Sequence, residues 1–119
     1  MPTGGGREVE RKSIHYFISA SPGEESFIEV YRVSAAKRFK LERVQIFFPL
    51  GTAFELEVAV YRGGEKIKPT DGTYRGDGNV MVDTTGVWFI SDQTIRLWYK
   101  NLSDTDIRQA TVLLEGYEE

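Results

Sequence analysis

Apolar side chains in this chain recur at every second position. Phe54, Leu56, Val58 and Val60 alternate with Glu55, Glu57, Ala59 and Tyr61. Side chains on an extended strand point to opposite faces in turn, so this spacing builds one buried and one wet face. No window of eleven or more residues keeps apolar positions at the i, i+3, i+4, i+7 spacing of a helix. Composition agrees: 10 Val, 8 Ile, 9 Thr, 7 Phe, 6 Tyr and 2 Trp stand against 6 Ala and 7 Leu. Branched and aromatic side chains pack well on a pleated surface and lose rotamer freedom in a helix. The chain is read as all-β.

With 119 residues there is room for one domain. Residues 1–12, with three consecutive glycines and then Arg7-Glu8-Val9-Glu10-Arg11-Lys12, bury almost nothing and read as a flexible arm. Residues 13–119 form the domain. Its first strand runs from Ser13 to Ala20, and Ser21-Pro22-Gly23-Glu24 turns into a second from Ser26 to Val33. The strand from Arg38 to Phe48 is apolar at Phe39 and Leu41, then at Val44, Ile46 and Phe48. Parity changes between the two sets, so one extra residue near Glu42-Arg43, a β-bulge, is needed to keep both on one face. Pro49-Leu50-Gly51-Thr52 is expected to close a hairpin that sets Phe48 near Phe54, Ile46 near Leu56 and Val44 near Val58. Arg62-Gly63-Gly64-Glu65 is a tight turn into a short strand stopped by Pro69. Residues 69–79 are the longest loop; strands follow at Val80–Thr84 and Val87–Ile90 (separate, or one interrupted at Gly86), Thr94–Lys100 and Ile107–Tyr117. About eight antiparallel strands with one long excursion after the fifth indicate a jelly-roll-like β-sandwich. An immunoglobulin-like sandwich is the alternative, without its disulfide.

Chemistry is narrowed by what is missing. The chain has no cysteine, which excludes disulfides, thiolate metal sites and cysteine nucleophiles. Its one histidine, His15, lies mid-strand with no nucleophile-elbow motif and reads as a structural or surface residue. Carboxylate pairs such as Glu55/Glu57 and Asp104/Asp106 share a solvent face, where solvated charge is the usual outcome. Asp71, Asp77 and Asn79 could offer oxygens to a cation, but Asp-Gly pairs are the vocabulary of turns. No catalytic, cofactor or metal residue is assigned, and no enzyme is expected. A net charge of −3 argues against a nucleic-acid partner. No apolar run reaches transmembrane length, and the polar N-terminus lacks a signal-peptide core. Cytoplasmic synthesis without a membrane partner is the expectation, and the Asn101-Leu102-Ser103 sequon then carries no meaning. Nine Arg, two Asn and three Gln are compatible with a thermophilic host.

Aromatic residues make up 13% of the chain, and they are the remaining signal. Phe39, Phe48 and Phe54 fall on the inward register. Phe47 and Tyr61 fall on the outward one, Trp98 lies outward between Arg96 and Lys100, and Trp88 and Tyr74 border the long loop. Phe47, Tyr61, Tyr74, Trp88 and Trp98 are the candidate interaction surface, since exposed aromatics suit a protein interface or a sugar platform.

The run Phe39-Lys40-Leu41-Glu42-Arg43-Val44-Gln45-Ile46-Phe47-Phe48-Pro49-Leu50-Gly51, then Leu56 to Arg62, then Leu97-Trp98-Tyr99-Lys100-Asn101-Leu102-Ser103, resembles small jelly-roll proteins of phages and proviruses. Those serve as capsid decoration or minor virion proteins. The resemblance implies a non-enzymatic structural protein, present as a homo-oligomer and docked on a larger assembly such as a capsid, with the virion as one location. It carries over no functional residue. A carbohydrate-binding module using Trp88, Trp98 or Tyr74 is the alternative function. A cupin-like lyase is disfavoured by the single histidine.

Overall fold

The structure, a computed structural model, describes residues 8–119. Its strands are β1 (Glu10–Ala20), β2 (Glu25–Arg32), β3 (Phe39–Phe48), β4 (Leu56–Arg62), β5 (Glu65–Lys68), β6 (Asn79–Phe89), β7 (Thr94–Asn101) and β8 (Arg108–Glu118). They form two antiparallel four-stranded sheets, a first with order β1-β8-β3-β6 and a second with order β2-β7-β4-β5. The pairs β1·β8, β2·β7, β3·β6 and β4·β5 are nested, as in one long hairpin folded about the Gly63-Gly64 turn and rolled onto itself. That order is a jelly roll, and it differs from the immunoglobulin arrangement. Among the described residues no helix is long and apolar enough to cross a membrane.

The inner faces meet in one core. Ile18, Phe39, Leu41, Val44, Ile46, Phe48, Phe89, Val112 and Leu114 of the first sheet pack with Leu56, Val58, Val60, Ile95 and Leu97 of the second. The parity change in β3 is resolved as the sequence requires. Pairing with β8 shifts between Leu41↔Gly116 and Arg43↔Glu115, which leaves Glu42 as the extra residue. Both apolar sets of β3 are therefore fully buried. The same shift appears against β6, where Leu41↔Val87 is followed by Arg43↔Thr84, so Thr85 and Gly86 bulge within one continuous strand.

Three local expectations are corrected. β3 and β4 are not a hairpin; they lie in opposite sheets, and residues 49–55 carry the chain across the sandwich end. Val44, Ile46, Leu56 and Val58 do share the core, but from facing layers. Phe54 is not inward: it is exposed, with a left-handed backbone (φ 58°) next to Ala53 (φ 55°), and its amide donates to the Gly76 carbonyl at 3.1 Å. The crossing reverses the backbone there and turns the ring out of the alternating register. Finally, residues 10–12, expected in the arm, belong to the sheet. Strand β1 begins at Glu10 because β8 extends to Glu118, giving Glu10, Arg11 and Lys12 the partners Glu118, Tyr117 and Gly116. Backbone pairing and the Lys12–Glu10 ion pair (2.5 Å) hold a charged segment in the sheet. Residues 1–7 of the expected arm lie outside the described residues.

The connections β1–β2, β3–β4, β5–β6 and β7–β8 gather at one end and are stitched together there. The Leu102 amide donates to Glu55 O (2.7 Å), the Gly23 amide to Ser103 O (3.0 Å), and the Gly51 amide to Asp77 Oδ1 (2.7 Å). Asn101 is the hub. Its Nδ2 lies 3.1, 3.1 and 2.8 Å from the carbonyls of Ala20, Ser21 and Asp106, and its Oδ1 accepts from the Ser103 amide at 2.9 Å. With 1% of its surface exposed, the side chain is fully committed, so the sequon is closed in the folded protein.

The bulge has a steric counterpart across the strand. A Cβ on Gly116 would stand 2.0 Å from the Lys40 carbonyl oxygen and 2.8 Å from the Phe39 ring, and backbone cannot yield as a side-chain tip can. Gly116→Ala is expected to lower stability by about 3 kcal/mol or to prevent folding. Leu41→Ala should cost about 2–5 kcal/mol. Gln45→Ala, outward on the same strand, should change stability by no more than about 0.5 kcal/mol. Denaturant melts of the three variants check the register, and equal losses at Leu41 and Gln45 contradict it.

Candidate interaction surfaces

The five aromatic candidates do not form one surface. Tyr74 is not on the surface at all: it is 3% exposed and bridges Val58 on the β4 edge just beyond β5. Its hydroxyl donates to Asp83 Oδ2 at 2.6 Å, and burial together with that carboxylate pushes its pKa up. It anchors the 69–78 loop, so the candidate surface loses it. Within that loop, Asn79 Oδ1 accepts from the Asp77 amide (2.7 Å), and Asp77 is bonded to Gly51 as above. These are turn contacts. Among the described residues no cluster of three or more His, Asp or Glu side chains is placed to hold a metal ion.

Tyr61 and Trp98 lie on the outer face of the second sheet, both half-buried. Phe27 meets Tyr61 edge-on (centroids 4.9 Å apart), and the Arg96 guanidinium lies 4.5 Å from the Phe27 ring. Trp98 Nε1 donates to Glu25 Oε2 at 2.8 Å. Ala59, level with Trp98 on this face, is fully covered. The cluster satisfies itself. Trp88 lies on the outer face of the first sheet, at the end where both described termini emerge. Arg38 sits 4.4 Å above its ring, Lys40 5.7 Å away, and Tyr117 packs against it edge-on at 5.8 Å. Sugar stacking needs an open ring face, and these cations already hold the Trp88 π-system.

Phe47 is different. It is 46% exposed and has exposed apolar neighbours in register. Across the first sheet one row reads Phe17, Thr111, Phe47, Val80, and the next reads His15, Leu113, Gln45, Val82. Phe17, Val80 and Val82 are 57%, 50% and 55% exposed, and neither row holds Lys, Arg, Asp or Glu. The third row, Ser13, Glu115, Arg43, Thr84, carries charge as an Arg43–Glu115 pair at 2.5 Å. The fourth row, Arg11, Tyr117, Lys40, Trp88, is the cation–aromatic cluster. Residues 49–52 and 107–109 border an open recess of about 220 Å³ just beyond the Phe47 row, and Leu50 there is almost wholly exposed.

Sequence reasoning found Phe47 but not Phe17, Val80 or Val82. Alternation within β6 leaves its two faces as Val80/Val82 and Met81/Asp83, and hydropathy favours turning the valines inward. The structure does the reverse, because Asp83 faces inward to receive the Tyr74 hydroxyl. A buried acceptor for a loop tyrosine is a tertiary fact with no local signal.

Comparison with protein-family models and with curated proteins finds no match to this chain.

One carboxylate, Glu118, is nearly fully buried (3% exposed). Burial alone would raise its pKa. The Tyr31 hydroxyl, the Ser34 amide, the Lys12 ammonium and the Ser34 hydroxyl outweigh that and hold it below its ordinary value of 4.5. The group closes the end of the sandwich. Because its folded pKa is depressed, its stabilisation is complete above pH 4.5 and is lost as pH falls through the folded value. Glu118→Gln should lower stability at pH 7 by about 1.5–3 kcal/mol. Thermal melts from pH 7 to pH 3 should then show a shallower acid decline in the variant; an identical decline contradicts this role.

Proposed function

We propose that the protein is a non-enzymatic structural component that self-associates and docks on a larger assembly. The observation that carries this reading is the uncharged apolar half of the first sheet's outer face, Phe17, Phe47, Val80 and Val82 with Leu113 between them. Exposed apolar side chains in one contiguous block mark interaction sites on folded proteins. The jelly-roll order supports it as well, since closed sandwiches of this kind serve as rigid blocks in shells and as lectin domains. That fold-level argument does not choose between the two uses. The aromatic environments do favour one: Trp88 lies under Arg38, Trp98 is tied to Glu25, and Tyr74 is core. A virion is the kind of assembly that the sequence resemblance implies.

Light scattering over a range of concentrations should give a mass above that of one chain, and electrophoresis through polysaccharide gels should show no retardation. A monomer retarded by a polysaccharide would replace this reading with the carbohydrate-binding one.

A further inference from the structure

We propose that two copies of this chain stack through the outer faces of their first sheets, about a two-fold axis that lies between the faces and runs along the strands between β8 and β3. This rests on the reading of the protein as self-associating and adds which face does it and in what register. The sheet order β1-β8-β3-β6 puts the centre of the face between β8 and β3. Rotation about that axis keeps each row level with itself and exchanges β8 with β3 and β1 with β6. An isologous contact then sets each residue against a known partner.

The rows are complementary under this exchange. In the first row Thr111 meets Phe47 of the other copy, and Phe17 meets Val80. In the second row Leu113 meets Gln45, so the interface centre has no charged side chain to desolvate. In the third row Glu115 meets Arg43 twice over, which places opposite charges across the interface with no like-charge clash. In the fourth row the exchange of β1 and β6 sets Arg11, held by Glu42 of its own chain at 2.9 Å, level with the Arg38-covered Trp88. The other two-fold, across the strands, would lay the apolar rows on the cationic row.

Shape and size also fit. Two identical sheets share the same twist and pack face to face with their strands roughly aligned, as the two sheets within the sandwich do. Strands of 10 or 11 residues, four abreast, give a face of roughly 700 Å² at about 3.4 Å per residue and about 4.8 Å per strand. A standard interface buries about 800 Å² per partner.

Sedimentation velocity on the full chain tests this with Phe47→Glu and Thr111→Glu, both outward and both expected to keep the wild-type melting temperature of the monomer. Each should weaken association by about a hundredfold or more, by placing an unpaired charge in an apolar centre. Glu29→Lys, exposed on the outer face of the second sheet, should leave association unchanged. The register is tested by mixing: Thr111→Glu protein and Phe47→Lys protein, each monomeric alone, should associate with one another. Association of the wild type that survives both glutamate variants, or a mixture that stays monomeric, overturns the stacking while leaving self-association intact. A wild type that is monomeric at every concentration overturns the stacking and self-association together.

Discussion

A strand shows alternate side chains to opposite faces, and β3 has to bury five apolar side chains whose spacing changes parity partway along. The extra residue at Glu42 reconciles the two. Much of the first sheet follows from that local solution, because β3 is hydrogen-bonded on both sides. Toward β8, the shifted backbone brings the Lys40 carbonyl so close to residue 116 that only glycine fits. Toward β6, the shift is answered by two unpaired residues, Thr85 and Gly86; being even in number they leave the alternation of that strand intact, with Met81 and Phe89 both on the inner side. Without the bulge, either Phe39 and Leu41 or Val44, Ile46 and Phe48 would face water, a loss no surface contact offsets.

Polar groups in the interior of the sandwich are matched one to another. Asn101 joins three strand-end carbonyls and the Ser103 amide, Glu118 receives Tyr31 and Ser34, and Asp83 receives Tyr74. Polar groups matched in this way stabilise a shape. The outer aromatics of the second sheet are likewise matched among themselves. On the outer face of the first sheet, neighbouring apolar side chains stay exposed and are bordered by paired charge.

Fold class was legible because period-two patterning is local, and the β3 bulge was legible because a parity change can be counted. The partner of each strand was not. Nothing in Phe48-Pro49-Leu50-Gly51-Thr52 distinguishes a hairpin from a crossing between layers, since both need a turn; the left-handed pair at Ala53 and Phe54 is the only mark, and it is a backbone property. Charged Glu10-Arg11-Lys12 looked too polar for a strand, yet the reach of β8 pulls it into the sheet. The surface was legible only in Phe47. Tyr74 misled because a tyrosine in a glycine-rich loop looks exposed until a core acceptor is found for it, and that acceptor in turn decides which side of β6 faces out.

The nested strand order also bears on how the chain comes into being on the ribosome. β8 is the last of the eight strands to be made, yet it lies between β1 and β3. Until residue 118 has left the exit tunnel, the first strand has no neighbour in its sheet, and β3 has only β6. The apolar inner side of β1 must then wait until the other seven strands have been made. Such late closure of distant pairings is slow and leaves sticky intermediates. Nascent chains stalled before β8 should therefore be the form of this protein that most needs a chaperone.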